Sequence, residues 1–321
     1  MSTPPLLHQS SEDVARCALS PLDVEAAVRE AFAARAAGAA VTAPNLHLGL
    51  EGRSFSAKAA VLTGAGLAAV KWFGNVAQNE RRGLADYNPL VLLSDVETGL
   101  LLALIDGAWI TATRTAAISA VAAGLLAPER ATRLGIVGCG RQAAAHLDAL
   151  RLAFPLARVT LYSRRRASAE RLADAARAHG IEAEVVDAPR RAVSGQQIVV
   201  STVALDAEPS GFLRADWVDD GAFVSMVDLG FSWDPASIVA FELLVTDQLE
   251  PGARESTDAL RVKGPFEADL SGLLAEPRFA DARTRRRKAL LFAGCGLADV
   301  AAAAAVYRRA RALGLGRELA R

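Results

Sequence analysis

Between Arg133 and Arg166 the chain has little freedom in how it can fold. Leu134-Gly135-Ile136-Val137 is an apolar run, Gly138-Cys139-Gly140 follows, and RQAAAHLDALRLA then carries apolar residues at helical spacing. A second apolar run, ARVTLYS, comes next. Strand, glycine turn, helix and strand at these lengths make one βαβ unit of a parallel sheet. The turn has the form GxGxxA. Gly138 permits the tight turn, Gly140 lets the backbone approach a pyrophosphate with no Cβ in the way, and Ala143 keeps helix close to strand. The helix start adds free N–H groups and the positive end of its dipole. The stretch implies dinucleotide binding, and the strand before and helix after separate it from an ordinary glycine turn.

The second strand ends in Tyr162-Ser163-Arg164-Arg165-Arg166. A carboxylate at this point would hold a ribose 2′-OH and repel a 2′-phosphate. A hydroxyl and three guanidiniums favour the phosphate. NADP(H) is the expected cofactor, with NAD(H) possible. Ser163 and Arg164 are the expected first contacts, with Arg165 beside them. Arginine is common throughout this chain, so a solvated helix start would read the same way.

The alternation continues beyond this unit. ASAERLADAARAHG reads as a helix ending at Gly180, and IEAEVV, QQIVVSTVA and AFVSMVDL read as strands. The pattern predicts a doubly wound parallel sheet. The first 115 residues read differently, as mainly antiparallel strand with a leading helix. Residues 11–37 are helical, with Ser11 and Ser20 as caps. Residues 45–74 are short strands, LVLLSD and LLALIDG form a hairpin around Gly99, and Thr111–Leu126 is an Ala-rich helix. GLADVAAAAAVYRRARALG closes the chain as a long helix, and the run RTRRRK (283–288) reads as a solvated face or linker.

Composition limits the function classes. Hydrophobic residues make up 52% and charged residues 22%, as in a globular chain. Lys+Arg and Asp+Glu are both 36, so there is no basic surplus for nucleic acid. Cys17, Cys139 and Cys295 show neither metal-type spacing nor a disulfide framework, which points to a reducing cytoplasm. The N-terminus lacks a basic segment followed by an apolar core, and the apolar stretches read as too interrupted for a membrane span. His47 and His146 have no motif around them and read as packed or surface residues.

Two cations sit where burial is expected. Lys71 ends the apolar run GLAAVKWFGN, and Arg114 lies in ITATRTAAISAVAA. Charges in such runs need partners. Lys58, in FSAKAAVL, is a third. Such a cluster suits a substrate carboxylate, with Arg114 supplying bidentate geometry. Lys58 taken singly also fits an edge strand with its charge in water.

These residues carry a resemblance. VKWFGN (70–75), RRGL (81–84), VLLSDVETGLLLALIDGAWITATRTAA (91–117), LGIVGCGRQAAAHLDAL (134–150), VVSTVA (199–204) and GLADVAAAAAVY (296–307) together resemble the ornithine cyclodeaminase/mu-crystallin family. The resemblance implies a two-domain subunit. Residues 1–115 with 292–321 would form a substrate-binding and dimerisation domain, and 116–291 an inserted Rossmann domain. It also implies a homodimer acting on a small amino or imino acid. Lys71 falls at the family's active-site lysine and Arg114 at its carboxylate-binding arginine. An earlier arginine of the family falls at Asn45, so that contact is lost or supplied differently, with Lys58 as the candidate substitute. Dinucleotide contacts are expected from Arg141, Gln142, Thr202, Val203 and Gly296 in addition to the glycine turn.

One departure bears on the reaction. Cyclodeaminases carry an aspartate in a G-G-D or G-A-D stretch, whereas VSMVDLGFSW (224–233) places Asp228 off that position. The variant looks like relatives that oxidise or reduce C–N bonds, with Lys71 or Asp228 exchanging the proton and Asp228 near the nicotinamide. An ammonia lyase recycling bound NAD, and a non-catalytic ligand-binding protein of mu-crystallin type, remain the alternatives.

Overall fold

The computed structural model describes residues 5–204, 210–250, 252–256 and 260–320. The chain divides into two compact units, Met1–Arg114 with Cys295–Arg321, and Thr115–Gly294.

The first unit holds strands β1 (Leu6–Gln9), β2 (Ala40–Thr42), β3 (Leu46–Leu50), β4 (Arg53–Leu62), β5 (Leu67–Val76), β6 (Tyr87–Asp95) and β7 (Leu101–Asp106), with β16 (Arg317–Leu319) from the C-terminal segment. Among the described residues they form one sheet in the order β16-β1-β7-β6-β5-β4-β2, with β3 on β4. Strands β4 to β7 are antiparallel, as their short connections require. β1 adds a parallel pairing on β7, so the sheet is mixed. On β5 the burial alternates: Leu67, Ala69 and Lys71 are buried, and Trp72 is exposed. The buried face packs on helix α8 (Gly296–Leu313), which also contacts α2 (Pro21–Ala36). α8 lies very close to β4, because a Cβ on Gly296 would sit 2.6 Å from the Ala59 backbone carbon.

The helical opening is two helices, α1 (Ser11–Arg16) and α2. Each starts in a reciprocal capping box, Ser10 with Asp13 and Ser20 with Asp23. Ser10, not Ser11, is the first cap. Helix α3 (Gly107–Leu126) starts before Thr111, where the Asp106 carboxylate accepts the Ala108 N–H at 3.0 Å. Its 20 residues are continuous and apolar enough to cross a membrane, which corrects the expectation of interrupted stretches. However, 83% of its apolar window is buried inside the protein, as in a core helix.

The second unit holds β8 (Arg133–Val137), α4 (Arg141–Ala153), β9 (Arg158–Tyr162), α5 (Arg166–Ala178), β10 (Glu182–Val185), α6 (Pro189–Val193), β11 (Ile198–Ser201), β12 (Phe223–Met226), β13 (Leu243–Thr246), β14 (Ala268–Asp269), α7 (Leu270–Ala275) and β15 (Lys288–Leu291). Its sheet runs β10-β9-β8-β11-β12-β15-β13-β14, and every pair is parallel. The chain moves outward from β8 through β9 to β10, then returns to the other side of β8 with β11. That reversal opens a crevice at the carboxyl ends of β8 and β11. The run 283–288 is not a solvated linker throughout. Lys288 begins β15 fully buried, and its Nζ donates to the Gly221 and Arg283 carbonyls at 2.9 and 2.8 Å.

Candidate active site

The crevice of the second unit is built by the glycine turn. Gly138 has φ +88°, and a Cβ there would meet the Thr202 carbonyl carbon at 2.8 Å. The Gly138 N–H donates to the Tyr162 carbonyl, and the Gly138 carbonyl accepts from the Thr202 hydroxyl at 2.7 Å. These bonds fix the turn between β9 and β11. Gly140 is the N-cap of α4, has no side-chain cap, and has nothing within 4 Å of where a Cβ would stand. The first-turn N–H groups of α4 are thus unspent by a cap and approachable by an anion.

A cavity of about 350 Å³ opens beside the turn. Gly138, Gly140, Thr202, Val203, Ser163, Arg164 and Arg165 line it. Ser168, on the first turn of α5, lines it as well. The glycine turn and the arginines at the end of β9 thus line one cavity, a combination that can take a dinucleotide. Arg141 and Gln142 are the first residues of α4. Gly296 belongs to the first unit, where its lack of a Cβ serves the packing of α8 on β4.

The first unit carries a buried charge cluster. Lys71 on β5 is fully buried, and its Nζ lies 2.8 Å from Asp299 Oδ1 on α8. Arg114 Nε on α3 lies 2.9 Å from the same oxygen. Lys71 Nζ also donates to the Thr111 hydroxyl at 3.4 Å and lies 5.4 Å from the Phe73 ring centre. Lys58 stands opposite Lys71 in the β4–β5 register. Burial, then Arg114, push the Lys71 ammonium down to about 7, with Asp299 pulling the other way and Lys58 adding to the push. Burial alone would raise the Asp299 carboxyl, but Arg114 and Lys71 outweigh it and hold it below the usual carboxylate range. The cluster keeps one carboxylate ionised and holds a lysine that can gain or lose a proton near neutrality. Asn45 precedes β3 and is half-buried.

Asp228 belongs to the second unit, in the turn after β12. Its carboxylate accepts from the Ser201 and Ser232 hydroxyls at 3.0 and 2.5 Å and from the Val203 N–H at 3.4 Å. Burial lifts it to about 6 against the pull of these bonds. It therefore ties the β12 turn to the Thr202–Val203 wall of the crevice. His146 on α4 is fully buried, between the Gln142 carbonyl at 2.7 Å and the Ser119 hydroxyl at 2.8 Å. Burial lowers it to about 4, so it is neutral at pH 7.

The structure brings Lys71, Arg114 and Lys58 into one cluster, and the glycine turn, Ser163, Arg164, Arg165, Thr202 and Val203 around one cavity. Sequence reasoning missed Asp299. The signal was present: an acid inside the apolar helix GLADVAAAAAVY demands a buried partner just as Lys71 and Arg114 do.

The sequence profile of the ornithine cyclodeaminase/mu-crystallin family matches residues 7–232. The chain belongs to this family. It is 30% identical over 302 residues to an alanine dehydrogenase of Archaeoglobus fulgidus, covering 91% of this chain and 92% of the relative. It is 32% identical over 222 residues to the ketimine reductase mu-crystallin of Mus musculus, covering 68% of each chain. An archaeal alanine dehydrogenase dimer with bound NAD superposes with a TM-score of 0.85 at 26% identity, covering 98% of this chain and 99% of that one.

Proposed function

We propose that this family member is an NAD(P)H-dependent oxidoreductase acting on the C–N bond of a small imino or amino acid. The observation that carries the reading is the Lys71–Asp299–Arg114 cluster in a chain that also has a dinucleotide crevice. The alanine dehydrogenase and ketimine reductase relatives support the same reaction class.

The residues divide the work. Gly140, Arg141 and Gln142 offer backbone donors to the pyrophosphate, and Gly138 shapes the turn that presents them. Ser163 and Arg164, with Arg165, favour a 2′-phosphate, so NADP(H) is the preferred cofactor. The bound nicotinamide supplies or accepts the hydride. Arg114 binds the substrate carboxylate, with Lys58 and Asn45 assisting. Lys71 exchanges a proton with the substrate nitrogen, charged as donor in reduction and neutral as acceptor in oxidation. Asp228 is the second proton-exchanging candidate, with its acidity set by burial. The unit bearing Lys71 is the substrate-binding and dimerisation domain, and the other is the cofactor domain.

A homodimer completes the reading. Register aligns Leu46, Ala57, Trp72 and Leu90 in one row across β3 to β6, and Leu46, Trp72 and Leu90 are 49%, 42% and 38% exposed. An apolar row on a sheet face is the surface a second copy would cover.

Absorbance at 340 nm across amino acids, cyclic imines and 2-oxo acids with amines tests the reaction, with ammonia measured in parallel. Substrate-dependent change at 340 nm is expected. Ammonia release from a diamino acid with no change at 340 nm would replace this reading with the lyase.

A further inference from the structure

We propose that Asp299 holds the substrate nitrogen, with Oδ1 binding Lys71 and Arg114 and Oδ2 accepting an N–H from the amino or imino acid. The proposal takes its substrate class from the function proposed above and its residue from the geometry of this chain.

Both cation contacts fall on one oxygen, at 2.8 Å from Lys71 Nζ and 2.9 Å from Arg114 Nε. The other oxygen, Oδ2, is buried and accepts no hydrogen bond among the described residues. Asp299 stays ionised because the neighbouring cations outweigh burial. An ionised oxygen withdrawn from water needs a donor, and buried polar atoms left without one are uncommon in folded proteins. Arg114 and Lys58 push the Lys71 ammonium down and Asp299 supports it, so these cations share one region with this carboxylate. The cluster thus offers an acceptor for an N–H beside cationic groups that suit a carboxylate. A ligand carrying both groups on one carbon meets both demands. A plain carboxylic acid meets only the second.

This difference gives the test. Asp299→Asn keeps the side-chain size and removes the charge. Equilibrium binding is measured by calorimetry for two probes, L-alanine and propionate, on the full-length wild type and variant. The proposal expects the L-alanine Kd to rise at least tenfold in the variant. The propionate Kd stays level, because removing the carboxylate also lowers the Lys71 ammonium further, so the two changes of charge offset. Equal weakening of both probes, or no change in either, overturns the assignment of Asp299 and leaves the proposed function standing. Failure of the wild type to bind either probe overturns the substrate class, and this assignment with it. Cofactor binding, read by fluorescence quenching, reports whether the variant is folded. If Asp299→Asn does not fold, Asp299→Ser carries the same two expectations.

Discussion

At Lys71, burial and a guanidinium oppose the charge while one carboxylate supports it. The balance near 7 gives two mirrored pH dependences. Reduction needs the ammonium, so kcat/KM for the imine should fall as pH rises through about 7. Oxidation needs the free amine, so its rate should rise through the same range. Arg114, Asp299, Lys58 and the Tyr87 hydroxyl surround this titration. Stability carries the same signature. The folded pKa lies below the unfolded value of 10.5, so between about 7 and 10.5 the unfolded chain binds the proton that the folded chain has released. Stability should therefore rise with pH in that window, by up to about 1.4 kcal/mol per pH unit. Denaturant titrations at pH 7 to 9.5 should show a steeper slope for the wild type than for Lys71→Met. The same variant should bind cofactor normally and lose turnover by roughly 100-fold or more. Lys71 and Arg114 were legible in the sequence because a charge in an apolar run is conspicuous. Their shared partner was not, since Asp299 lies more than two hundred positions away from Lys71 and only the packing of α8 on β5 brings it near.

Among the elements, the glycine turn and α8 carry sharp expectations. Ser163→Asp places a carboxylate at the end of β9 and should cost at least ~10-fold in kcat/KM for NADPH while sparing NADH. A wild type that already favours NADH would remove the arginines from cofactor selection. Gly296→Ala would press a methyl group into the Ala59 backbone, at a cost of about 1–3 kcal/mol in urea unfolding. The long elements could be read from periodicity, and so could α4 and α5 from the turn chemistry before them. The short strands β1, β14 and β16 could not, because two to four residues hold too little pattern. The burial of Lys288 was hidden by its arginine neighbours, since nothing in RTRRRK marks where the solvated run ends and β15 begins.

For the whole molecule, the exposed row Leu46–Trp72–Leu90 predicts association. Leu46→Glu with Trp72→Glu should convert the proposed dimer to a monomer in analytical ultracentrifugation, and an unchanged mass would move the interface elsewhere. Such a surface is hard to foresee from sequence, because exposed and buried strand faces alternate through equally apolar residues. The central claim is that the chain moves a hydride between cofactor and a C–N carbon, and isotope transfer tests it most directly. The enzyme is supplied with NADPH carrying deuterium at C4 and with an imino acid, or a 2-oxo acid and amine, and the amino-acid product is analysed by mass spectrometry. The account predicts one deuterium at the α-carbon of the product with wild-type chain, and roughly 100-fold less labelled product or lower with Lys71→Met. Turnover that releases ammonia while the label stays on the cofactor would contradict it.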